Sequence, residues 1–541
     1  ANKGQIAEGD SAAAEASDPL TRAALEWALI RLHRQNVGFG RIVRFSAANS
    51  TLPMADWVRS RAEDALFLER FTPASVLAFF GTRAPRTGNG KVALARAKAG
   101  IGQHGEALAL VRDAYRADGT FAGLRSVIDK DFPGAITLED RRYLAERLAY
   151  KGHSSEAGRV AATAGPSIAL LVQILNASLN ETGAAPALLA KLDPALAREP
   201  AIILARAQQL RRSGKIAEAG QMLLTAPDDA ARIVDGDEWW TERRMMARKL
   251  LDLGDARTAY RIVAAHHAES PANRVDAEVH SGWLALRFLK DFTTAYRHFT
   301  SARAAALTPA SQARADYWRG RAAEAMDDPA APWAYLAASG HRHTYHGQLA
   351  AARLGEVHLP QLVSRPAHET LEAATAAPGL RMIRALLDAD ARDLAQPLIL
   401  DAARSARQLE DALVLGDLVA RYGMARLTVQ TGKLAMQQGL KTEEHAFPVF
   451  GVPTFNPVAD SAEQAIVYAI ARQESELDPA ALSHAGARGL MQLMPATARR
   501  TASRFKIPLD IHDLTRNPAL NARIGAAHLG ELFGEYGGNY L

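Results

Sequence analysis

One glutamate, Glu474, lies in the part of the sequence that best fits proton-donor chemistry. It closes an apolar helical segment that begins near Ala465, and it falls four residues after Ile470, so the two side chains share a helix face. Asp478 precedes Pro479, and the residue before a proline avoids the helical region. Burial disfavours a charged carboxylate, so we expect a raised pKa and general-acid behaviour for this group. The alternative is an ordinary acidic residue at a partly solvated helix end.

The neighbouring acids do not supply a second catalytic carboxylate. General acid–base chemistry often uses a pair of carboxyl groups in different environments. Glu476 is two positions beyond Glu474 and projects from another helix face, and Asp478 belongs to the terminating turn. Neither is a convincing partner for Glu474. Ser461 and Gln464 are predicted to open its helix as a capping box.

A glycine-bracketed loop follows this helix. Gly486 and Gly489 predict a tight turn in which the backbone approaches another group closely. Met491 and Met494 would offer a soft apolar platform to a sugar face, with Gln492 making directed hydrogen bonds. The alternative is that both methionines are ordinary core residues. Two further helices are predicted beyond the loop, from Pro495 to about Phe505 and from Ala519 to Tyr536.

Composition excludes several classes of site. The 541 residues are 48% hydrophobic but only 6% aromatic, which favours several domains of closely packed helices. A net charge of +5 with scattered basic doublets argues against a nucleic-acid partner. Without cysteine there is no disulfide or thiolate ligand, and no apolar run reaches the ~20 residues of a membrane span. The pattern His341-x-His343-x-x-His346 is interpreted as surface histidines, so we predict neither a metal nor a cofactor.

A weak repeat indicates stacked helical hairpins. Each copy has a glycine after an amphipathic segment, where a left-handed residue would end the helix, and an alanine five residues later, where the next helix would pack closely. The copies are Gly102 with Ala107, Gly152 with Ala157, Gly214 with Ala219 and, more loosely, Gly254 with Ala259 and Lys290 with Ala295. An unrelated all-α domain with ordinary helix caps is the alternative.

These elements define a predicted division of the chain. Residues 1–19 are small and polar and are expected to be a disordered N-terminal segment. Residues 20–359 form the predicted α-solenoid, with a boundary at Pro360 and Pro366, and residues 360–447 form a helical linker domain. Three prolines between His445 and Asp460 prevent a continuous helix, so an extended strap would lead into a C-terminal domain of residues 448–541.

Taken together, these residues resemble the soluble lytic transglycosylases that cleave peptidoglycan. Glu474-Ser475 matches the Glu-Ser pair of that family, and Ser483 through Pro495 match its Ser-x-x-Gly-Ala-x-Gly-Leu-Met-Gln-x-Met-Pro run. Asn521 and Gly525 match its Asn-x-x-x-Gly motif. Weaker similarities to its helical ring domain lie at residues 281–288, 315–322 and 347–350. The resemblance implies an all-α protein with a superhelical ring of helical hairpins, a helical linker domain and a mostly helical, lysozyme-like catalytic domain.

Two features depart from the family pattern. His528 stands where the family usually has tyrosine. The family also continues past a stretch like Gly537 to Leu541 into a helix with an Ala-Tyr-Asn-Ala-Gly motif, which this sequence does not contain. We therefore expect a chain truncated at its C-terminus, without the tyrosine that helps to position the glutamate.

The resemblance implies a lytic transglycosylase reaction on peptidoglycan glycan strands. Glu474 would protonate the oxygen between N-acetylmuramic acid and N-acetylglucosamine, and the muramyl 6-hydroxyl would then close a 1,6-anhydro ring. Ser475, Ser483, Gln492 and Met494 are assigned by motif to substrate binding. The family implies a periplasmic location after removal of a signal peptide, and other cell-wall enzymes as partners. Two alternatives are a hydrolytic muramidase that uses the same glutamate and a non-catalytic cell-envelope scaffold.

Overall fold

The computed structural model describes residues 6–33, 37–117, 122–356 and 365–539. Within these ranges the regular elements are helices, joined by two isolated β-bridges between Leu482, Arg488 and Leu493. The all-α prediction is therefore confirmed. The chain divides into two compact units: Ala1–Arg61 together with Gln361–Leu541, and Ala62–Pro360. No helix in the described part of the chain is both long and apolar enough to cross a bilayer.

The first unit opens with a short run of helices, the last of which crosses the division between the units. They are α1 (Ile6–Glu15), α2 (Pro19–Leu32), α3 (Phe39–Ala48) and α4 (Ala55–Glu69). The prediction that residues 1–19 are disordered is wrong for Ile6–Glu15, because this alanine-rich segment forms a helix. Its Asp10 forms an ion pair of 2.6 Å with Arg41 of α3. Residues 1–5 lie outside the described residues.

The second unit is a succession of helices in which each packs chiefly against the next along the chain. They are α5 (Pro73–Phe80), α6 (Gly88–Gly100), α7 (His104–Arg116), α8 (Ala122–Asp131), α9 (Leu138–Tyr150), α10 (Ser154–Ala162), α11 (Pro166–Leu179), α12 (Ala185–Leu189), α13 (Pro200–Arg212), α14 (Ile216–Leu223), α15 (Gly236–Asp252), α16 (Ala256–Ala264), α17 (Pro271–Leu284), α18 (Phe292–Ala305), α19 (Pro309–Glu324), α20 (Ala331–Ser339) and α21 (Tyr345–Arg353). A π-helical turn, Ala285–Leu289, extends α17.

At each hairpin, the first residue of the predicted repeat ends one helix, and the alanine five residues later is buried in the next helix. The φ angles are left-handed at the four glycines and at Lys290: 84° at Gly102, 79° at Gly152, 76° at Gly214, 79° at Gly254 and 56° at Lys290. At the first hairpin the backbone N–H of Gln103 donates to Lys98 O at 2.9 Å, which is a hydrogen bond typical of a helix end closed by a left-handed glycine. The alanines five residues later are buried in all five copies. The interpretation as stacked hairpins is therefore confirmed.

The first unit resumes after Gln361 with two groups of helices. They are α22 (His368–Thr375), α23 (Pro378–Asp388), α24 (Arg392–Ser405), α25 (Leu409–Arg421), α26 (Ala425–Gln437), α27 (Glu443–Ala446), α28 (Gln464–Ser475), α29 (Pro495–Arg504), α30 (Asp513–Arg516) and α31 (Pro518–Glu535). The helices predicted at Pro495 and Asn517-Pro518 are thus present. The segment between α27 and α28 contains no helix, as its three prolines predict.

The N-terminal helices belong with the later part of the chain because of side-chain contacts inside the first unit. Trp27 Nε1 donates to Leu394 O at 3.1 Å, and the backbone N–H of Met54 donates to Asp401 at 2.5 Å. This grouping differs from the predicted solenoid of residues 20–359. The predicted boundary at Pro360 lies outside the described residues. The division at residues 447 and 448 stays a proposal.

The hairpin glycines give a direct test of this architecture. Gly152→Ala places a Cβ on a residue with φ 79°, which costs about 1 kcal/mol for an L-residue. We expect amide hydrogen exchange in α9 and α10 to become about fivefold faster. Gly158→Ala is the matched control, because Gly158 lies inside α10 with open space around its Cβ position. That change should slow the exchange, since alanine favours helix over glycine. Equal effects of the two substitutions would contradict the assignment.

A half-buried carboxylate makes the second unit sensitive to acid. Glu278 accepts a 2.6 Å hydrogen bond from His298 and lies 3.5 Å from His266. Burial raises the pKa of Glu278, but the hydrogen bonds from the two histidines outweigh it and lower the pKa from 4.5 to about 2. A carboxyl group with a lowered pKa stabilises the fold above its unfolded value and loses that contribution as pH falls.

We therefore expect Glu278→Gln to lower the free energy of unfolding near neutral pH by about 1–2 kcal/mol after solvent screening. The difference from the unsubstituted protein should shrink as pH falls from 4.5 to about 2. Urea unfolding at a series of pH values measures it. A difference that stays constant through this range would show that the carboxylate is not the stabilising group.

Candidate active site

The helix α28 presents Glu474 on its open side. Its buried positions are Val467, Ala471 and Ser475, which follow one another at i, i+4 spacing, whereas Ile470 is only partly buried and Glu474 is exposed. The predicted burial of Glu474 is therefore wrong. The buried face of α28 is thus the one that begins at Val467. The prediction used the face of Ile470 and Glu474, which lies one position away around the helix. The carboxyl group is thus directed to a surface that a ligand can reach.

The start of α28 is set by tertiary contacts instead of by the predicted capping box. The N-cap is Glu463, without a side-chain hydrogen bond, and Ser461 Oγ accepts from the backbone N–H of Val458 at 3.1 Å. The backbone N–H of Ala462 donates to Ala526 O in α31 at 2.9 Å. This pairing with a distant helix fixes the entry of the chain, which a local motif does not reveal.

The two acids after Glu474 are held by cations of α26. Glu476 and Leu477 have left-handed φ angles of 54° and 65°, so the chain turns sharply at the helix end. Glu476 accepts from Lys433 Nζ at 2.5 Å and from Gln430 Nε2 at 2.8 Å. Burial raises the pKa of Glu476, but the Lys433 hydrogen bond outweighs it and lowers the pKa.

Asp478 is held in the same way, by an ion pair of 2.7 Å with Arg426 of α26. Its other oxygen accepts from the backbone N–H of Ala480 at 2.9 Å. The prediction that neither Glu476 nor Asp478 is a second catalytic carboxylate agrees with these contacts. Both side chains already have close partners, so Glu474 is the carboxyl group on this helix end that faces open surface.

Ser475 joins the end of α28 to the following loop. Its side chain is buried, and its Oγ lies 2.8 Å from Leu490 O and 3.0 Å from Ala471 O. A hydroxyl has one proton to donate, and both of these neighbours are carbonyl acceptors. The structure thus places Ser475 beneath the surface, where it holds the loop against the helix that carries Glu474.

The loop of residues 481–494 is closed by short hydrogen bonds. Ser483 Oγ accepts from the backbone N–H of Ala487 at 2.9 Å, and Arg488 and Leu493 exchange two backbone hydrogen bonds of 3.0 and 3.1 Å. Gln492 has a left-handed φ of 44°, and its Nε2 donates to Gly489 O at 2.9 Å and Ala481 O at 3.2 Å. Ser483 and Gln492 therefore shape the loop from within.

The buried amide of Asn521 anchors this loop to α31. Its Oδ1 accepts from the backbone N–H of Met491 at 2.9 Å, and its Nδ2 donates to Arg488 O and Leu514 O, each at 2.9 Å. Gly489 lies so close that a Cβ there would be 2.0 Å from Leu514 O and 2.4 Å from the Asn521 amide nitrogen. The position therefore admits only glycine. The sequence indicated Asn521 only through the family motif, because no local pattern reveals contacts 30 residues away.

The two methionines of the loop have different environments. Met491 is buried and packs on Gly525, where a Cβ would lie 2.6 Å from its Cγ. Met494 is 44% exposed and stands at the N-cap of α29. Met491 is thus a core residue, as the alternative interpretation held, whereas Met494 keeps an apolar surface open beside the loop.

Two polar side chains of α28 bind the proline-rich strap, and the sequence analysis missed both. Tyr468 donates to Val449 O at 3.1 Å, with Val452 O also close at 3.3 Å. The Arg472 guanidinium donates to Ala446 O at 2.5 Å and lies 4.0 Å from the centre of the Phe447 ring. The sequence could have indicated both residues, because they are hydrogen-bond donors within an otherwise apolar helical segment and the backbone carbonyls of a strap need donors.

The departure at His528 forms part of a polar contact between α29 and α31. His528 Nδ1 lies 3.2 Å from Glu531, which also accepts from the buried Thr501 hydroxyl at 2.8 Å. Arg504 completes the group at 3.2 Å from Glu531. Burial raises the pKa of Glu531, but these hydrogen bonds outweigh it and keep the pKa below its usual value. His528 thus has a local structural partner.

Within the described ranges, one group of side chains has ligand-like spacing for a metal ion: Asp417, Glu444 and His445. The Arg365 guanidinium already bridges its two carboxylates at 2.7 and 2.8 Å, so the negative charge is compensated by the protein. The three histidines at 341, 343 and 346 are half-buried, and the interpretation of them as surface histidines stays a prediction. Burial lowers the pKa of His346 to about 4, helped by Arg314.

Comparison with known proteins agrees with this geometry. Residues 456–541 match the family model described as the transglycosylase SLT domain. The soluble lytic murein transglycosylase of Salmonella typhimurium is 30% identical over 234 residues, which is 41% of this chain and 33% of that protein. The chain therefore matches about a third of the length of this curated relative.

Two solved structures resemble nearly the whole chain. The lytic transglycosylase Slt of Pseudomonas aeruginosa, solved as an inactive glutamate-to-glutamine mutant, covers 99% of this chain with a TM-score of 0.67 and 20% identity. The match spans 88% of that structure. The 70 kDa soluble lytic transglycosylase of Escherichia coli covers 99% with a TM-score of 0.58 and 19% identity, over 85% of that structure. The chain has the fold of these enzymes.

The Asn521 anchor makes a prediction about the loop. Asn521→Ala removes three buried hydrogen bonds and leaves the Met491 N–H and Leu514 O unpaired, at about 1–3 kcal/mol for each group, whereas Arg488 O keeps its bond from the Leu493 N–H. We expect amide hydrogen exchange in residues 488–493 to rise at least about 30-fold. Gly534→Ala, on the same helix with open space at its Cβ position, should leave the loop protected. Unchanged loop exchange in the Asn521 variant would refute the anchoring role.

Proposed function

We propose that this chain, whose residues 456–541 belong to the transglycosylase SLT domain family, is a lytic transglycosylase of peptidoglycan. It would cleave the β-1,4 bond between N-acetylmuramic acid and N-acetylglucosamine and leave 1,6-anhydromuramic acid ends. The observation that carries the proposal is the single open carboxyl group of Glu474 at the end of α28. Glu476 and Asp478, next to it, are held by Lys433 and Arg426.

One carboxyl group suffices when the substrate supplies the nucleophile. Glu474 donates its proton to the glycosidic oxygen as the bond from that oxygen to C1 of the muramyl residue breaks. The resulting carboxylate then takes the proton of the muramyl 6-hydroxyl while that oxygen bonds to C1. The proton count balances, no water is consumed, and the acid is restored for the next cycle.

The proposed binding residues fall into two groups. Met494 offers an exposed apolar surface to a sugar ring, and Gln492, half-buried beside it, is held by its side-chain nitrogen within the loop. Ser475 and Ser483 hold the loop and the helix end together. We propose that the two serines act on substrate binding indirectly, because they hold the loop that contacts the substrate in place. A glycan lying across this surface would cover Glu474 and withdraw it from water.

The related structures support the choice of acid. The Pseudomonas aeruginosa enzyme was solved as an inactive mutant in which a glutamate is replaced by glutamine. Glu474 is the glutamate of this chain that carries the family's Glu-Ser pair. Replacing Glu474 by glutamine is therefore the most direct test of the assignment.

We further propose a periplasmic location, glycan strands as the substrate and other cell-wall enzymes as partners. The names of the curated relatives, soluble lytic murein transglycosylases, support the glycan substrate. The first alternative, a hydrolytic muramidase, would use the same glutamate with water as the nucleophile. The second, a non-catalytic scaffold, would keep the fold without cleavage.

We expect Glu474→Gln to lower the rate of glycan cleavage by at least about 100-fold, because glutamine cannot donate the proton that the leaving oxygen needs. Digestion of purified peptidoglycan followed by mass analysis measures the products. The anhydro product is lighter than the hydrolysed one by one water, which separates the transglycosylase from the muramidase.

Glu463→Gln is the matched control, since Glu463 is an exposed glutamate at the other end of the same helix. It should cleave at the rate of the unsubstituted protein. Equal cleavage by the Glu474 variant and the unsubstituted protein would refute the assignment of the acid. No cleavage by the unsubstituted protein would favour the scaffold.

A further inference from the structure

The second unit contains a large cavity that the proposed reaction does not use. It has a volume of about 910 Å³ and is lined by residues of α15, α17, the π-helical turn, α19 and α21. Small-molecule sites in proteins commonly have volumes of about 300–1,000 Å³ and combine an apolar wall with a few polar groups. The composition of this lining follows that pattern.

Aromatic rings form the apolar wall. Trp283 and Phe288 meet edge to face, with ring centres 5.2 Å apart. Trp318 of α19 also lines the cavity. Trp318 is backed by Phe299, with ring planes only 23° apart. Phe299 in turn lies against Gly282, where a Cβ would be 2.6 Å from its ring. The aromatic wall is thus supported from behind by close packing.

The π-helical turn Ala285–Leu289 explains why Phe288 is available. It widens the end of α17 and leaves Phe288 45% exposed beside the partly buried Trp283. Such turns interrupt the regular helix and occur frequently at functional sites. An exposed phenylalanine ring next to a tryptophan presents a flat apolar surface, onto which the C–H face of a pyranose ring packs.

Arginines form the polar side of the cavity. Arg244 and Arg314 each use one terminal nitrogen for an ion pair with Asp276, at 2.9 and 3.1 Å, and Arg248 is exposed at the lining. Burial raises the pKa of Asp276, but hydrogen bonding with His280 and the charges of the arginines outweigh it and keep Asp276 ionised. Trp240 Nε1 also donates to Asp276, at 3.1 Å.

The cavity keeps a positive balance. The three arginines line the cavity together with the carboxylate of Asp252, and Asp276 pairs with Arg244 and Arg314. The lowered pKa of His346 leaves its ring neutral at pH 7. Arg244 and Arg314 each have further N–H groups besides the one that pairs with Asp276. We expect a ligand carboxylate to bind them, since guanidinium and carboxylate pair through two parallel hydrogen bonds.

We propose that this cavity is a second, non-catalytic binding site for a sugar that carries a carboxylate, such as the N-acetylmuramic acid residue of a glycan strand. The aromatic wall takes the C–H face of the sugar ring, and the arginines take the lactyl carboxylate. The choice of this sugar rests on the proposed function. The site would hold a strand at a place other than the one where Glu474 acts.

The test measures local protection, so that it does not depend on cleavage. The Glu474→Gln protein is titrated with the disaccharide of N-acetylglucosamine and N-acetylmuramic acid, and amide hydrogen exchange is followed in residues 279–289 and 314–318. We expect protection that saturates at or below about 1 mM. Chitobiose, which lacks the carboxylate, should need at least about tenfold more ligand for the same protection.

Two exposed positions give variants that should not disturb folding. Phe288→Ala and Arg248→Gln together should weaken the protection about tenfold. Trp333→Ala, at a ring that is 72% exposed on α20, and Arg261→Gln, at an exposed arginine on α16, are the matched controls and should change nothing. Absent protection, equal binding of chitobiose or an unchanged double variant would each overturn the proposal. The peptidoglycan digestion reports separately on the proposed function.

Discussion

The buried amide of Asn521 is the constraint on which the candidate site depends. A carboxamide has both donors and an acceptor, so one side chain satisfies the N–H of Met491 and the carbonyls of Arg488 and Leu514 at once. The Met491 N–H belongs to the loop and Leu514 O to α30, and either group would be costly to bury unpaired. The loop can therefore pass beside α28 only because α31 supplies this amide and because Gly489 leaves space for it.

This constraint divides the motif residues by role. Ser475, Ser483 and Met491 are used to build the loop and its contact with α28, and their side-chain groups already have protein neighbours. Glu474 and Met494 remain exposed on the surface that results. A motif that reads as a continuous row of binding residues in the sequence thus contains residues that shape the surface and residues that remain exposed on it.

The sequence predicted best what depends on neighbours along the chain. The left-handed glycines at hairpin ends follow from local helix chemistry, and the structure has them at Gly102, Gly152, Gly214 and Gly254. The capping box at Ser461 failed because Ala462 pairs with Ala526, and the burial of Glu474 failed because the core lies one position around the helix. Both errors come from contacts with residues that are distant along the chain, and the hydrophobic periodicity of one helix does not predict such contacts.

The charges around α28 favour a mechanism with one acid. A double-carboxylate mechanism needs a second free carboxyl group across the bond. Glu476 and Asp478 are the nearest along the chain, yet cations of α26 pair with both, and the left-handed turn at Glu476 directs the chain away from the helix axis. Recruiting either one would require breaking an ion pair. An intramolecular hydroxyl of the substrate needs no such rearrangement, and its high effective concentration replaces the missing group.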